Sequence, residues 1–158
     1  MGCGKSTVGR LLAAKLGMSF TDMDTYIEQQ QCMTIPQIFE KYGEEHFRQL
    51  ETNVIRELGE KGGIIACGGG AMLKEINAQT AAELGTVIYI DTPFDICYDR
   101  VSGDNNRPIA AANTKESLNE LYNKRKPVYQ AHSSAVVDGS GSPMEIAGRI
   151  SAITDQSV

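Results

Sequence analysis

The chain has 158 residues, 41% of them hydrophobic and 22% charged, which suits one globular domain with a real core. Its 20 acidic residues outnumber 15 basic ones, and the net charge of −5 argues against a nucleic-acid partner. No apolar run reaches the ~18–20 residues that span a bilayer, and no signal-peptide pattern opens the chain, so no membrane partner and a cytoplasmic location are expected.

The first residues, Met1-Gly-Cys-Gly-Lys-Ser-Thr7, end in the G-K-[ST] of a phosphate-binding loop. Glycines let backbone N–H groups point at phosphate oxygens, and the following helix adds the positive end of its dipole. Lys5 would neutralise the β- and γ-phosphates of a nucleoside triphosphate, and the Ser6 hydroxyl would ligate Mg²⁺. The helix is predicted over Gly4 to Leu16, with Val8, Leu11, Leu12 and Leu16 on its apolar side and Gly17 as its stop. The leading glycine of the motif should stand before Met1, and so should the strand that feeds the loop. In a doubly wound parallel sheet that strand is central, so its absence is expected to leave a slot with unpaired backbone on both sides. We therefore expect an N-terminally truncated chain; the alternative is that another segment fills the slot.

A short strand passes through Phe20 and is closed by Asp22-Met-Asp24. Alternation would put both carboxylates on one face, at the sheet edge where α/β proteins bind ligands. One acid could hold Mg²⁺ through water and the other orient or deprotonate a hydroxyl. The plainer reading is a solvated turn, or Asp24 as a helix N-cap. Thr34-Ile-Pro-Gln37 reads as a capping box opening a helix through Lys41, and Glu44 to Lys61 as a longer helix with Phe47, Leu50, Val54 and Leu58 buried. On it, Arg48 either pairs with Glu44 or Glu51 at the surface or points into a cleft.

Ile64 to Cys67 reads as a buried strand ending in Gly68-Gly-Gly70, more glycine than an ordinary turn needs and suited to close backbone approach to a ligand. Val87 to Ile90 is another strand, and Pro93 opens a helix through about Val101. Residues 102–113 are polar and nearly free of apolar side chains, which predicts a mobile lid carrying Arg107-Pro108. A helix follows from Lys115 to Lys126, at whose end Lys124 and Lys126 fit simple complementation of the helix dipole. Ala135 to Val137 is the last strand. Ser142-Pro-Met-Glu145 is a second capping box, opening the closing helix. Strands alternating with helices predict an α/β fold with a parallel sheet. Cys3, Cys32, Cys67 and Cys97 match no zinc spacing and read as reduced thiols.

Taken in order, Gly2 to Thr7, Asp22 and Asp24, Gly43 to Glu51, Gly68 to Gly70, Arg107-Pro108 and Leu121 to Tyr129 resemble the motif set of the shikimate kinase family over nearly the whole chain. The resemblance implies a P-loop kinase fold of five parallel strands flanked by helices, here without the first, forming a single kinase domain over 1–158. It implies transfer of the γ-phosphate of ATP to the 3-hydroxyl of shikimate, on the route to chorismate and aromatic amino acids. By position, Gly2, Cys3, Gly4, Lys5, Ser6 and Thr7 would bind ATP, with Arg107 reaching it from the lid and Arg100 stacking on adenine. Asp24 would bind the acceptor hydroxyl, and Lys5, Asp24 and Arg107 would be catalytic. Ser6, and Asp22 through water, would hold Mg²⁺. Arg48 and Arg125 would grip the shikimate carboxylate, beside Gly68, Gly69 and Gly70. A gluconate-type kinase and a non-catalytic kinase-like binding module are the alternatives, and a monomer is expected because no partner is needed to complete the site.

Overall fold

The computed structural model describes residues 2–102 and 114–154, so Arg107 and most of the predicted lid lie outside the described residues. In chain order the elements are α1 (Lys5–Leu16), β1 (Phe20–Asp22), α2 (Met23–Gln31), α3 (Ile35–Lys61), β2 (Ile64–Ala66), a short 3₁₀ turn (Ala71–Leu73), α4 (Glu75–Leu84), β3 (Ile88–Asp91), α5 (Phe94–Val101), α6 (Lys115–Ala131), β4 (Ala135–Asp138) and α7 (Pro143–Thr154).

The strands form two parallel pairs. Phe20 stands opposite Ile64 in the β1–β2 pair, and Ile88 opposite Ala135 in the β3–β4 pair. Among the described residues no ladder joins β2 to β3, and no other segment enters as a strand between the pairs. A shared core joins them instead. Val8 and Leu12 of α1 and Ile146, Ala147 and Ile150 of α7 are buried with Val137, against Ile64, Ile88 and Ile90 from both pairs. Ile65, one residue along β2, packs on the opposite side against Met23, Ile27, Ile38, Phe47 and Val54 of α2 and α3. Alternation thus sends neighbouring side chains of one strand to two helical layers, which is the doubly wound arrangement. Each fully buried aliphatic side chain contributes about 1.5–3 kcal/mol over leaving it in water.

Local signals set most boundaries. Thr34 accepts from the Gln37 N–H at 3.5 Å while the Gln37 side chain accepts from the Thr34 N–H at 2.9 Å, completing the first capping box. Glu145 and Ser142 complete the second, with 2.7 and 3.3 Å bonds. Gly43, at φ 81° and ψ 171°, breaks α3 between the two predicted helices.

Two expectations are corrected. The strand ends at Asp22, and Asp24 already lies in the first turn of α2, so alternation along a strand is not what brings the two acids together. Helix α6 also runs five residues past Lys126, through Pro127. An interior proline costs a helix about 3 kcal/mol. Tertiary bonds beyond it, from Tyr129 to the Gly69 carbonyl and between His132 and the Met72 carbonyl, offset that cost.

Candidate active site

The C-terminal ends of both strand pairs and the N-terminus of α1 meet at one edge. Gly4 caps α1 in the left-handed region, with φ 86°, and no side chain caps the helix. The first intrahelical bond runs from the Val8 N–H to the Gly4 carbonyl at 2.9 Å, so the N–H groups before it have no helical acceptor. That is a ready anion site. Lys5 is half-buried and makes no hydrogen bond or ion pair with the described residues, which leaves its ammonium for a ligand. Thr7 is exposed on the same turn. The loop is braced from behind: Arg100 Nη1 of α5 donates to the Gly2 carbonyl at 3.2 Å, and the buried Thr92 hydroxyl lies 3.5 Å from the Cys3 carbonyl.

Ser6 Oγ donates to Asp22 Oδ2 at 2.5 Å. The other oxygen of Asp22 accepts from the Asp24 and Thr25 N–H groups at 3.2 and 3.4 Å, so Asp22 is the N-cap of α2. The capping role foreseen as the plainer reading of Asp24 thus belongs to Asp22. Ser6 and Asp22 offer two hard oxygens side by side, a donor pair that fits Mg²⁺, with phosphate and water completing the shell. No group of three or more His, Cys, Asp or Glu side chains placed to hold a metal ion occurs among the described residues.

Asp24 faces the glycine loop. A Cβ on Gly68 would stand 2.6 Å from Asp24 Oδ1 and 3.1 Å from Glu51 Oε1, which is why this position carries no side chain. Arg48 pairs with Glu44 at 3.0 Å and with Glu51 at 2.7 Å, and its guanidinium also lies where a side chain on Gly70 would go. Arg48 is thus paired along its helix, and its guanidinium also reaches the loop. Glu51 is only 1% exposed. Burial pushes its carboxyl above the ordinary range, with Arg48 pulling it back and Asp24 adding to the rise. Gly69 is exposed, with open space around it.

Across the edge, α6 presents Tyr122, Arg125 and Tyr129 at spacings of three and four, one face of a helix. Tyr122 donates to the Thr92 carbonyl at 3.0 Å. Lys126 pairs with Asp91 at 2.8 Å, so it does more than complement the helix end. Tyr129 donates to the Gly69 carbonyl, with Arg125 one turn before it. Sequence reasoning missed the buried state of Glu51 and the Tyr129 contact. The four-residue step from Arg125 to Tyr129 could have exposed the second, had the helix not been ended at Pro127.

Alanine at Gly70 is expected to push the Arg48 guanidinium off Glu51 and leave a buried carboxylate with a poorer partner. That costs about 2 kcal/mol. Thermal unfolding should show the midpoint roughly 4–8 °C lower; an unchanged midpoint would mean that Arg48 is not held against the loop.

A family model for shikimate kinase matches residues 1–154 of the chain. The chain belongs to the shikimate kinase family. It is 42% identical over 151 residues to the shikimate kinase of Persephonella marina, covering 95% of this chain and 92% of that one. With that of Geobacter sulfurreducens it shares 40% identity over 147 residues, covering 92% and 81% of the two chains. A shikimate kinase from Acinetobacter baumannii, solved in complex with shikimate, superposes with a TM-score of 0.89 at 36% identity, over 99% of this chain and 89% of that one. The enzyme from Aquifex aeolicus superposes with a TM-score of 0.86 at 34% identity, over 99% and 93%.

Membership in the shikimate kinase family makes this chain an ATP-dependent phosphotransferase, as its phosphate loop suggests. All four cysteines are free thiols, and burial pushes the Cys67 thiol up to about 11, which keeps it inert. No helix among the described residues is long and apolar enough to cross a membrane.

Proposed function

We propose that this chain phosphorylates the 3-hydroxyl of shikimate with ATP, giving shikimate 3-phosphate and ADP, and works as a cytoplasmic monomer. One observation carries the reading: the Asp22-Met23-Asp24 segment sends one acid to each half of such a reaction. Asp22 meets Ser6 on the nucleotide side, and Asp24 meets the Gly68 loop, beside Glu51 and Arg48, on the acceptor side.

In this mechanism the N–H groups opening α1 and the Lys5 ammonium hold the β- and γ-phosphates of ATP. Ser6 and Asp22 are the residues that would hold Mg²⁺, which when bound neutralises charge between those phosphates. Arg48, kept in place by Glu44 and Glu51, and Arg125 grip the acceptor's carboxylate through their planar guanidinium forks. That grip aims the 3-hydroxyl at the γ-phosphate, and Asp24 orients it and accepts its proton. Gly69 and Gly70 offer backbone N–H groups to the same ligand. Arg100 contributes to the nucleotide side, and Arg107 is assigned there by motif position alone. Phosphoryl transfer needs chiefly positioning and charge neutralisation, and this set provides both.

The test is ADP release with shikimate, gluconate and CMP offered separately. Turnover is expected with shikimate alone. Arg125→Ala is expected to raise KM for shikimate by a factor of ~10–100, the range for losing one charge-assisted pair. Turnover of gluconate or CMP instead, or an Arg125→Ala variant with unchanged KM, would overturn the assignment.

A further inference from the structure

The two guanidiniums assigned to the acceptor's carboxylate stand on different parts of the fold. Arg48 lies on α3 against Gly70, with the β1–β2 pair. Arg125 lies on α6, which is anchored to the end of β3 through Tyr122 and Lys126. No ladder joins those two pairs among the described residues. The core built on α1 and α7 joins the pairs, and the two arginines need a closer tie at the edge of the site.

The contacts between α6 and the loop after β2 supply it. The Tyr129 hydroxyl donates to the Gly69 carbonyl, and His132 Nδ1 lies 2.8 Å from the Met72 carbonyl. Those two acceptors flank Gly70, the residue whose missing side chain makes room for Arg48. The Tyr129 ring rests on Tyr89 of β3, with centroids 5.6 Å apart, so it touches both halves. Burial raises the Tyr129 hydroxyl above its ordinary range, while the Arg125 guanidinium, one turn earlier on α6, acts in the opposite sense.

We propose that Tyr129 is a positioning residue for the acceptor's carboxylate: its hydroxyl ties the helix of Arg125 to the loop of Arg48 and fixes the separation of the two guanidiniums. This rests on the assignment of Arg48 and Arg125 under the proposed function. Tyr129 itself touches no reacting atom. Its single hydroxyl holds the glycine loop in a place where an error of an ångström would spoil a two-point grip.

The test is Tyr129→Phe, which keeps the ring on Tyr89 and removes only the oxygen. KM for shikimate is expected to rise roughly tenfold, the value of one hydrogen bond made useful by position. The kcat and the KM for ATP should stay within about twofold, and the thermal midpoint should fall by no more than about 4 °C. An analogue with a primary alcohol in place of the carboxylate should be bound equally by the wild type and the variant. A KM within threefold of wild type, equal losses for ATP and shikimate, the same loss with the alcohol analogue, or a midpoint lowered beyond about 10 °C would each overturn the proposal. Failure of the wild-type chain to turn over shikimate would instead remove the reading beneath it, and the proposal with it.

Discussion

Alanine at Lys5 is expected to lower kcat by a factor of about 10²–10³, the range for removing one preorganised group that meets developing transition-state charge. The ammonium opens α1 and has no partner among the described residues, so its loss should not disturb the fold. The thermal midpoint without nucleotide should therefore move little, because the substitution breaks no hydrogen bond or ion pair among the described residues. The rise in midpoint that ATP gives the wild-type chain should shrink, since stabilisation by a ligand follows its affinity. Steady-state kinetics with thermal unfolding, with and without ATP, checks both halves. A variant that keeps its kcat would place the phosphate grip elsewhere.

Asparagine at Asp24 is the second large effect. The substitution keeps the shape that Gly68 makes room for and removes the charge. Loss of a group that orients the hydroxyl and accepts its proton should cost about 10²–10⁴ in kcat. Asp24 is also one of the charges that push the buried Glu51 carboxyl upward. Removing it should bring the Glu51 titration down, which carbon-13 NMR of that carboxyl would report. Single-turnover rates separate chemistry from binding. A variant with wild-type single-turnover rates would leave Asp24 a packing group only.

The site was legible where its signals are local. Gly4-Lys5-Ser6 carries its own chemistry, and the capping boxes at Thr34 and Ser142 are closed by residues three apart, so no tertiary contact was needed to read them. Gly43 broke a helix where the sequence put the break. Asp22 and Asp24 stand close together for a geometric reason other than strand alternation: Asp22 caps a nine-residue helix, and only the burial of Met23 and Ile27 betrays that helix. Its remaining residues are mostly polar, so the apolar spacing was too thin to read. Helix α4 was missed as well, being short and rich in alanine, with only Asn77 and Ala78 buried. Pro127 misled because the rule against interior prolines is a local one, and here contacts with residues about 60 positions away decide. Glu51 looked like half of a surface pair on α3, yet it is buried, with its carboxylate beside the space that a side chain on Gly68 would fill.

The most direct test of the central claim is to identify the product. The chain would be incubated with ATP, Mg²⁺ and shikimate, and the mixture followed by phosphorus–proton correlation NMR. One new phosphomonoester signal is expected, coupled to the proton on carbon 3 of shikimate and growing in step with ADP. ADP formed without that signal, a phosphate on another oxygen, or a folded chain that binds ATP and leaves shikimate untouched would contradict it.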